Sequence, residues 1–600
     1  MAGKTIPHRD QTPREHKWDL TALFQSDKAW ETEFVDVEKQ LPSYRKYKGH
    51  LKDSVLSLKE AIEFHLRLNR QIEALYTYAH LKSDEDKSNQ LYLGFQQRAL
   101  NLLTRCAEMS SFMTPEIQSI PDETIDQFME DPSIAEFKFY LEKILRYKPH
   151  TCSEMVEKVL AMSREIASAP SQVFGQLDNV DLKFGTLTDD HGKESELSHG
   201  NFMTFLTSPS RKLRKKAFFQ FYQAYEDHKH TLAATLSNSI KKDHFYARVR
   251  NFDTCRVSSL FADNIQEAVY DNLIDSVKRN LKPLFQYLNF RKSTLGIEAL
   301  HFYDTYVPII EDVEFKMPYE EAVDLGVAAM EPLGKEYCNI LKQGLLGGWV
   351  DRYENRGKRS GAYSSGCYDS PPYILLNYDN QNLNSLYTLI HEAGHSMHSY
   401  YARKYQPYVD HDYTIFVAEV ASTFNENLLS RYLLEIYKDN PKMQAFILNR
   451  EIDNIRATLF RQTMFAEFEQ ITHAIVEDNG PLTLEVMTDK YSELLQIYFG
   501  DSLVIDPELS LEYLRIPHFY SPFYVYKYAT GVSAATTLAK NVIVEGEPAR
   551  RSYLDFLALG GSKFPLDQLM DAGVDMTSPE PIDQAISHFE SLVELLIKAG

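Results

Sequence analysis

Apolar residues recur at helical spacing over long stretches of this chain, as in "LSLKEAIEFHLRLNRQIEALYTYAHL" (residues 56–81) and "LLSRYLLEIY" (428–437). One side of an α-helix collects positions i, i+3, i+4 and i+7, so these stretches predict long amphipathic helices and a mainly α fold. Two segments break the pattern. "NVDLKFGTLTDDHGKESELSHGNF" (179–202) reads as short strands around a turn, and "GGWVDRYENRGKRSGAYSSGCYDSPPYILLNYDN" (347–380) is rich in Gly, Ser, Tyr and Pro. The first break places a boundary near residue 200, between a helical N-terminal lobe, 1–200, and a second domain, 201–600.

The second break leads into "LYTLIHEAGHSMHSYY" (386–401). Leu383, Leu386, Leu389, Ile390 and Ala393 repeat on one side of a predicted helix, with Asn384 or Ser385 to cap its start. His391 and His395 stand at i and i+4, about 40° apart in azimuth and one turn apart along the axis, so both imidazoles can reach one ion. Glu392, about 100° round from His391, can act on a water at that ion. His398 lies two turns from His391, about 10.5 Å along the axis, which sets it apart as an outer-shell or substrate-side residue. The longer HExxHxxGxxH motif fails at His398 and Tyr401, so a metzincin is excluded.

The following helix, "DYTIFVAEVASTFNENLLSRYL", sets Glu419 among Phe416, Val417, Ala418, Val420 and Ala421, a costly place for a carboxylate unless a cation compensates it. Catalytic zinc takes three protein ligands and keeps a fourth position open, so Glu419 is the expected third ligand of one Zn2+ per chain. Glu426, seven residues on, is placed to accept the spare ring N–H of a ligating histidine, or else is an ordinary half-exposed Glu. Such a centre hydrolyses peptide bonds, with Glu392 moving the proton from water to the leaving amine.

Negative charge developing on the carbonyl oxygen calls for a further donor. "LRIPHFYSPFYVYKYATGVSAATTLAK" (514–540) gathers His518, Tyr520, Tyr524, Tyr526 and Tyr528, and its Ser521-Pro522 reads as an N-cap followed by a first-turn proline. On that helix Tyr524 and Tyr528 share a face and Tyr526 points elsewhere; aromatic packing between helices is the alternative reading. "GAYSSGC", with Gly361, Ala362 and Tyr363, offers a backbone edge to which an extended peptide adds as another strand.

Composition narrows the partners. Lys+Arg 64 against Asp+Glu 85 gives a net charge of -21, which argues against nucleic-acid binding. The basic run Arg211 to Lys216 reads as a solvated helix start, and Gly357-Lys358 lacks the rest of a phosphate loop. No stretch of about 18 apolar residues occurs and the start is polar, so neither a membrane span nor a leader is expected and the location is cytoplasmic. Five scattered cysteines form no CxxC pair and read as reduced thiols; Cys367 as a nucleophile is disfavoured because the HExxH pattern already accounts for the histidines near it.

"HKWDLTALFQSDKAWETEF", "GWVDRYENRGKRSGAYSSGCY", "YILLNY", "HEAGHSMH", "FVAEVASTFNE" and "RIPHFYSPFYVYKYATG" together resemble the oligoendopeptidase F branch of the thimet-oligopeptidase-like zinc metallopeptidases, over nearly the whole chain. The resemblance implies a two-lobed helical fold with a small β-sheet beside the HExxH helix and a deep channel for short unstructured oligopeptides. It implies one zinc on His391, His395 and Glu419, Glu392 as catalytic base, and substrate contacts from His518 and from Tyr526 or Tyr524. No glycine stands between His518 and Phe523, where the wider family has a glycine-rich loop, so the tyrosine register stays open. Residues 201–600 are then the zinc metallopeptidase domain of an endopeptidase. The alternatives are a metal-dependent carboxypeptidase, which needs a basic group for the substrate's C-terminal carboxylate, and a non-enzymatic peptide binder, which should show damage at Glu392 or a ligand.

Overall fold

In the computed structural model, which describes residues 6–189, 192–310, 313 and 315–599, helices dominate and the described strands form two small sheets. In chain order, the elements that build the site and its supports are α1 (Val55–Glu85), α2 (Gln90–Ser110), β1 (Thr186–Thr188), β2 (Glu194–Glu196), α3 (Arg211–Val249), α4 (Cys255–Phe261), β3 (Val350–Asp351), β4 (Tyr363–Ser365), β5 (Tyr373–Leu375), α5 (Leu383–Tyr405), α6 (Ile415–Ile436), α7 (Arg461–Glu477) and α8 (Tyr526–Glu545). The mainly α fold with a small sheet beside the HExxH helix is the one the chain adopts. Among the described residues no helix is long and apolar enough to cross a membrane.

The chain forms two compact units, each from three segments. Met1–Lys148, Glu314–Tyr432 and Leu538–Val574 make the first; Pro149–Val313, Leu433–Thr537 and Asp575–Gly600 make the second. The units interleave along the chain, whereas a division into 1–200 and 201–600 is a single cut. A chain that leaves a unit and later returns to it needs no linker or shift in composition at the crossings, so the residue pattern does not mark them.

In the first unit, the Ser54 hydroxyl caps α1 by accepting from Ser57 N, and Leu58, Ile62, Leu68, Ile72 and Leu75 bury its apolar stripe. The Trp30 indole stacks on Phe95 of α2 with ring centroids 4.1 Å apart and donates to the Leu75 carbonyl at 2.9 Å. Tyr373 and Leu375 of β5 belong to this same core, which anchors the three-stranded sheet through its central strand. The strand order is β3-β5-β4, with β3 parallel to β5 and β4 antiparallel, Tyr363 opposite Leu375. Strand β4 is therefore an edge. The fully buried Lys358 ammonium pairs with Asp351 at 2.8 Å and donates to the carbonyls of Tyr353 and Leu376, so the Gly357-Lys358 pair braces this sheet.

In the second unit, α3 begins at Ser210, whose hydroxyl accepts from Leu213 N. Arg211 and Arg214 of the basic run both pair with Asp304 at 2.9 Å, and Arg214 is buried. That part of the run is an internal ion-pair cluster and not a solvated face. Strands β1 and β2 pair antiparallel, with Thr186 opposite Glu196, as the first sequence break suggests; residues 190–191 of its turn lie outside the described residues.

Candidate metal centre

Helix α5 is capped by Asn382, two residues before Asn384 and three before Ser385, the expected caps, with its side chain accepting from Asn384 N, and carries His391 and His395 on one face. Gly394 sits between them in sequence and faces α6. A Cβ built there would lie 2.6 Å from the Ala421 carbonyl oxygen and 2.6 Å from Ser422 Cα, so only glycine allows the two backbones this approach. Asn425 Nδ2 donates to the Ile390 carbonyl at 3.4 Å and Tyr387 OH meets Ser430 Oγ at 2.9 Å, which fixes the register of α6 against α5.

That register brings Glu419 to the histidine pair. Glu419 Oε2 lies 3.5 Å from His391 Nε2 and 3.6 Å from His395 Nε2, and the donor atoms of all three residues fall within 4.8 Å of one another. Bonds of about 2.0–2.2 Å in a tetrahedral arrangement put ligand atoms roughly 3.4 Å apart, so this donor set fits one zinc ion. The other histidine nitrogen is spoken for: His391 Nδ1 meets Glu426 Oε1 at 2.7 Å, which places a ring proton on Nδ1 and directs Nε2 towards Glu419. Ser422 Oγ, at 3.1 Å from Glu419 Oε2, orients that carboxylate. Burial of Glu419 is not the reason it is there: its neighbours Phe416, Val417, Val420 and Ala421 are buried, but its side chain is 35% exposed. The helix turns its carboxylate outward to the imidazoles.

Electrostatics sharpen the roles. Burial pushes the Glu392 carboxyl up to about 7, with the Glu419 charge adding to the rise, against the pull of His391 and of a hydrogen bond from Ser364 N on β4. A cation at the three donors favours its ionised form. Burial works against charge on His391, but the hydrogen bond and charge of Glu426, with Glu392 and Glu419, raise it to about 9. Burial and the neighbouring His391 lower His395 to about 4, so that ring is a neutral donor.

His398 does not join this group. It is fully buried, stacked on Tyr413 with centroids 3.6 Å apart and set against Phe556, and burial lowers it to about 3. As placed it packs inside, between Tyr413 and Phe556. Gly361 and Ala362 precede β4, and Tyr363 is its first residue, its hydroxyl donating to Asp84 at 2.7 Å.

In the second unit, His518, Tyr524 and Tyr528 form one ring cluster. The Tyr528 hydroxyl lies 3.4 Å from His518 Nε2 and 3.4 Å from Tyr524 OH, and the His518 and Tyr524 rings stack at 5.9 Å. Tyr526 turns inward, fully buried with its ring 5.2 Å from Tyr270. Helix α8 begins at Tyr526 and not at the Ser521-Pro522 pair, because Phe523 adopts a left-handed φ of 52°. The Phe523 N–H donates to the buried Glu469 carboxylate at 2.6 Å, which holds the turn before Tyr524. Residue reading passed over Glu469, Gly394 and Ser364; a Gly inside HEAGH is the one signal among these visible in the chain. Tyr524 and Tyr528 meet on one face, as their i, i+4 spacing predicts.

Residues 204–588 match Peptidase family M3 and residues 116–184 match Oligopeptidase F. The chain is 46% identical over 598 residues to Oligopeptidase PepF of Bacillus subtilis (strain 168), covering 99% of this chain and 89% of that one. A crystal structure from Chlamydophila abortus superposes with TM-score 0.94 at 38% identity, covering 99% of this chain and 100% of that one. Oligoendopeptidase-F from Enterococcus faecium superposes with TM-score 0.74 at 36% identity, covering 96% and 99%.

Proposed function

Because this chain belongs to peptidase family M3, in its oligoendopeptidase F branch, and so is a metallopeptidase that hydrolyses peptide bonds in oligopeptides, we propose that its catalytic metal is one Zn2+ held by His391, His395 and Glu419, with Glu392 as general base. The observation that carries this reading is the spacing of Glu419 Oε2 from the two Nε2 atoms, 3.5 and 3.6 Å, across two helices locked together at Gly394.

When bound, the zinc supplies Lewis-acid polarisation of the scissile carbonyl and lowers the pKa of the attacking water. Glu392 takes the proton from that water and passes it to the leaving nitrogen, held in place by the Ser364 amide. Glu426 keeps the His391 ring oriented. His518 and Tyr524, with Tyr528 in place of Tyr526, donate to the oxygen that gains charge; the support is the chemistry of their groups and their clustering.

Substrate aligns as an added strand on the edge of β4, continuing the backbone that begins at Gly361, Ala362 and Tyr363. Main-chain pairing reads no chain end, so internal bonds of short unstructured peptides are the target. The proposed donors all fall within 201–600. All five cysteines are free thiols, in keeping with a reducing cytoplasm.

The test is Glu392→Gln on a peptide blocked at both ends. Cleavage should fall by about 10^2–10^4 while zinc content holds. Undiminished cleavage refutes the base assignment, and a wild-type enzyme that cuts only free C-termini is a carboxypeptidase.

A further inference from the structure

A second group of donors converges in the other unit. His244, near the end of α3, Cys255, the first residue of α4, and Glu477, the last residue of α7, bring one imidazole nitrogen, the thiol sulfur and a carboxylate oxygen within 4.8 Å of one another. The local chain makes this meeting. After α3 the backbone reverses through Asn251, at φ 58°, and Phe252 N donates back to the Ala247 carbonyl at 2.9 Å, which returns Cys255 over the helix it left. Glu477 accepts the Cys255 N–H at 2.6 Å.

The surroundings hold buried polar atoms without hydrogen-bond partners. His473 donates through Nδ1 to the Glu469 carbonyl at 2.8 Å, and its Nε2 faces Asp243 Oδ2 at 3.5 Å. Both atoms are buried without a hydrogen-bond partner, and so is Glu469 Oε2. His473 is 1% exposed and the Asp243 side chain 7%. Asp243 is close enough for its charge to act on both Cys255 and Glu469. Buried polar atoms without partners are costly, and a cation beside them offsets part of the cost. Glu477 also closes the C-terminal end of α7, where the helix dipole favours positive charge.

We propose that this cluster is a second metal site, independent of the HExxH centre, in which His244, Cys255 and Glu477 bind a divalent cation of the zinc class. One thiolate, one imidazole and one carboxylate suit a borderline-soft ion and leave a fourth position for water. Binding displaces the Cys255 thiol proton to solvent and forms a metal–sulfur bond; no oxidant or reductant is needed. The ion ties together the ends of α3 and α7 and the start of α4.

The test uses the full-length protein, stripped of metal by chelation, kept reduced with a phosphine and titrated with Co2+ alone. The HExxH centre has no sulfur donor, so a near-ultraviolet sulfur-to-cobalt charge-transfer band reports only a thiolate site. Wild type should take two equivalents, one of them with the band. His391→Ala should lose one equivalent and keep the band. Cys255→Ser should lose the band and one equivalent and, reloaded with Zn2+, cleave peptides at the wild-type rate. His244→Ala, at a half-exposed position with the thiol intact, should need about 100-fold more Co2+ to reach the same band. A wild type without the band, a band that survives Cys255→Ser, or one unmoved by His244→Ala overturns the proposal.

Discussion

The Cα of Gly394 rests against the carbonyl oxygen of Ala421, so that a single added methyl would lie 2.6 Å from it. This contact sets the distance between the helix that carries His391 and His395 and the helix that carries Glu419. Gly394→Ala must push α6 away from α5. The expected outcome is a loss of roughly 1–3 kcal/mol of stability through overpacking, together with zinc binding weakened by an order of magnitude or more. Thermal unfolding and competition with a chromogenic chelator measure the two separately. Zinc affinity equal to wild type would mean that the helix spacing does not govern the centre.

Glu426 offers a cleaner probe of orientation, because it bonds His391 at the ring nitrogen that does not face Glu419. Its Oε1 lies 2.7 Å from His391 Nδ1. Glu426→Gln removes the charge while keeping a hydrogen-bonding side chain of similar size. Zinc affinity should drop about 10–100-fold, the range for losing an outer-shell partner of a ligating histidine. Equilibrium dialysis against buffered zinc reads this directly, and an unchanged affinity would reduce Glu426 to a surface carboxylate.

His398 and Glu419 should separate fully. Glu419→Ala deletes a donor and is expected to abolish zinc retention after dialysis with little effect on the folded core, since the side chain is partly exposed. His398→Ala empties a stacked position between Tyr413 and Phe556. It should keep its zinc and lose roughly 1–3 kcal/mol of stability. The reverse pattern would make His398 the third donor.

How much of this was legible in the residues follows from the range of the interactions. Helical periodicity alone places His391, His395 and Glu392, because all three lie within five positions of one helix. The apolar neighbours of Glu419 predict a buried carboxylate, and the structure brings it to the histidines while leaving it 35% exposed. The same local rule fails where a distant residue intervenes. Residues 521 to 528 read as one helix, but Phe523 is held in a left-handed turn by Glu469, far upstream in sequence, and the helix starts later. That shift turned Tyr526 inward. The interleaved units escape for a related reason: the pattern of apolar positions records which faces are buried, not which segment covers them.

The tyrosines supply the last prediction, because one substitution type distinguishes donor from packing group. Tyr524→Phe and Tyr526→Phe each remove one hydroxyl and leave the ring. Tyr524 stands in the ring cluster with His518 and Tyr528, half-exposed. Tyr526 lies in the core beside Tyr270. Losing a donor aimed at developing negative charge costs about 10^2–10^3 in kcat, with little change in KM when the contact forms only in the transition state. Tyr524→Phe is expected to show that loss, and Tyr526→Phe to keep kcat while shifting only thermal stability. Glu469→Gln should fall between them: it leaves every ring in place but weakens the anchor of Phe523, so kcat drops in step with a looser turn. Steady-state kinetics on one blocked peptide orders the three variants. A kcat that falls with Tyr526→Phe and not with Tyr524→Phe would return the donor role to the buried tyrosine and require the turn at Phe523 to rearrange on binding substrate.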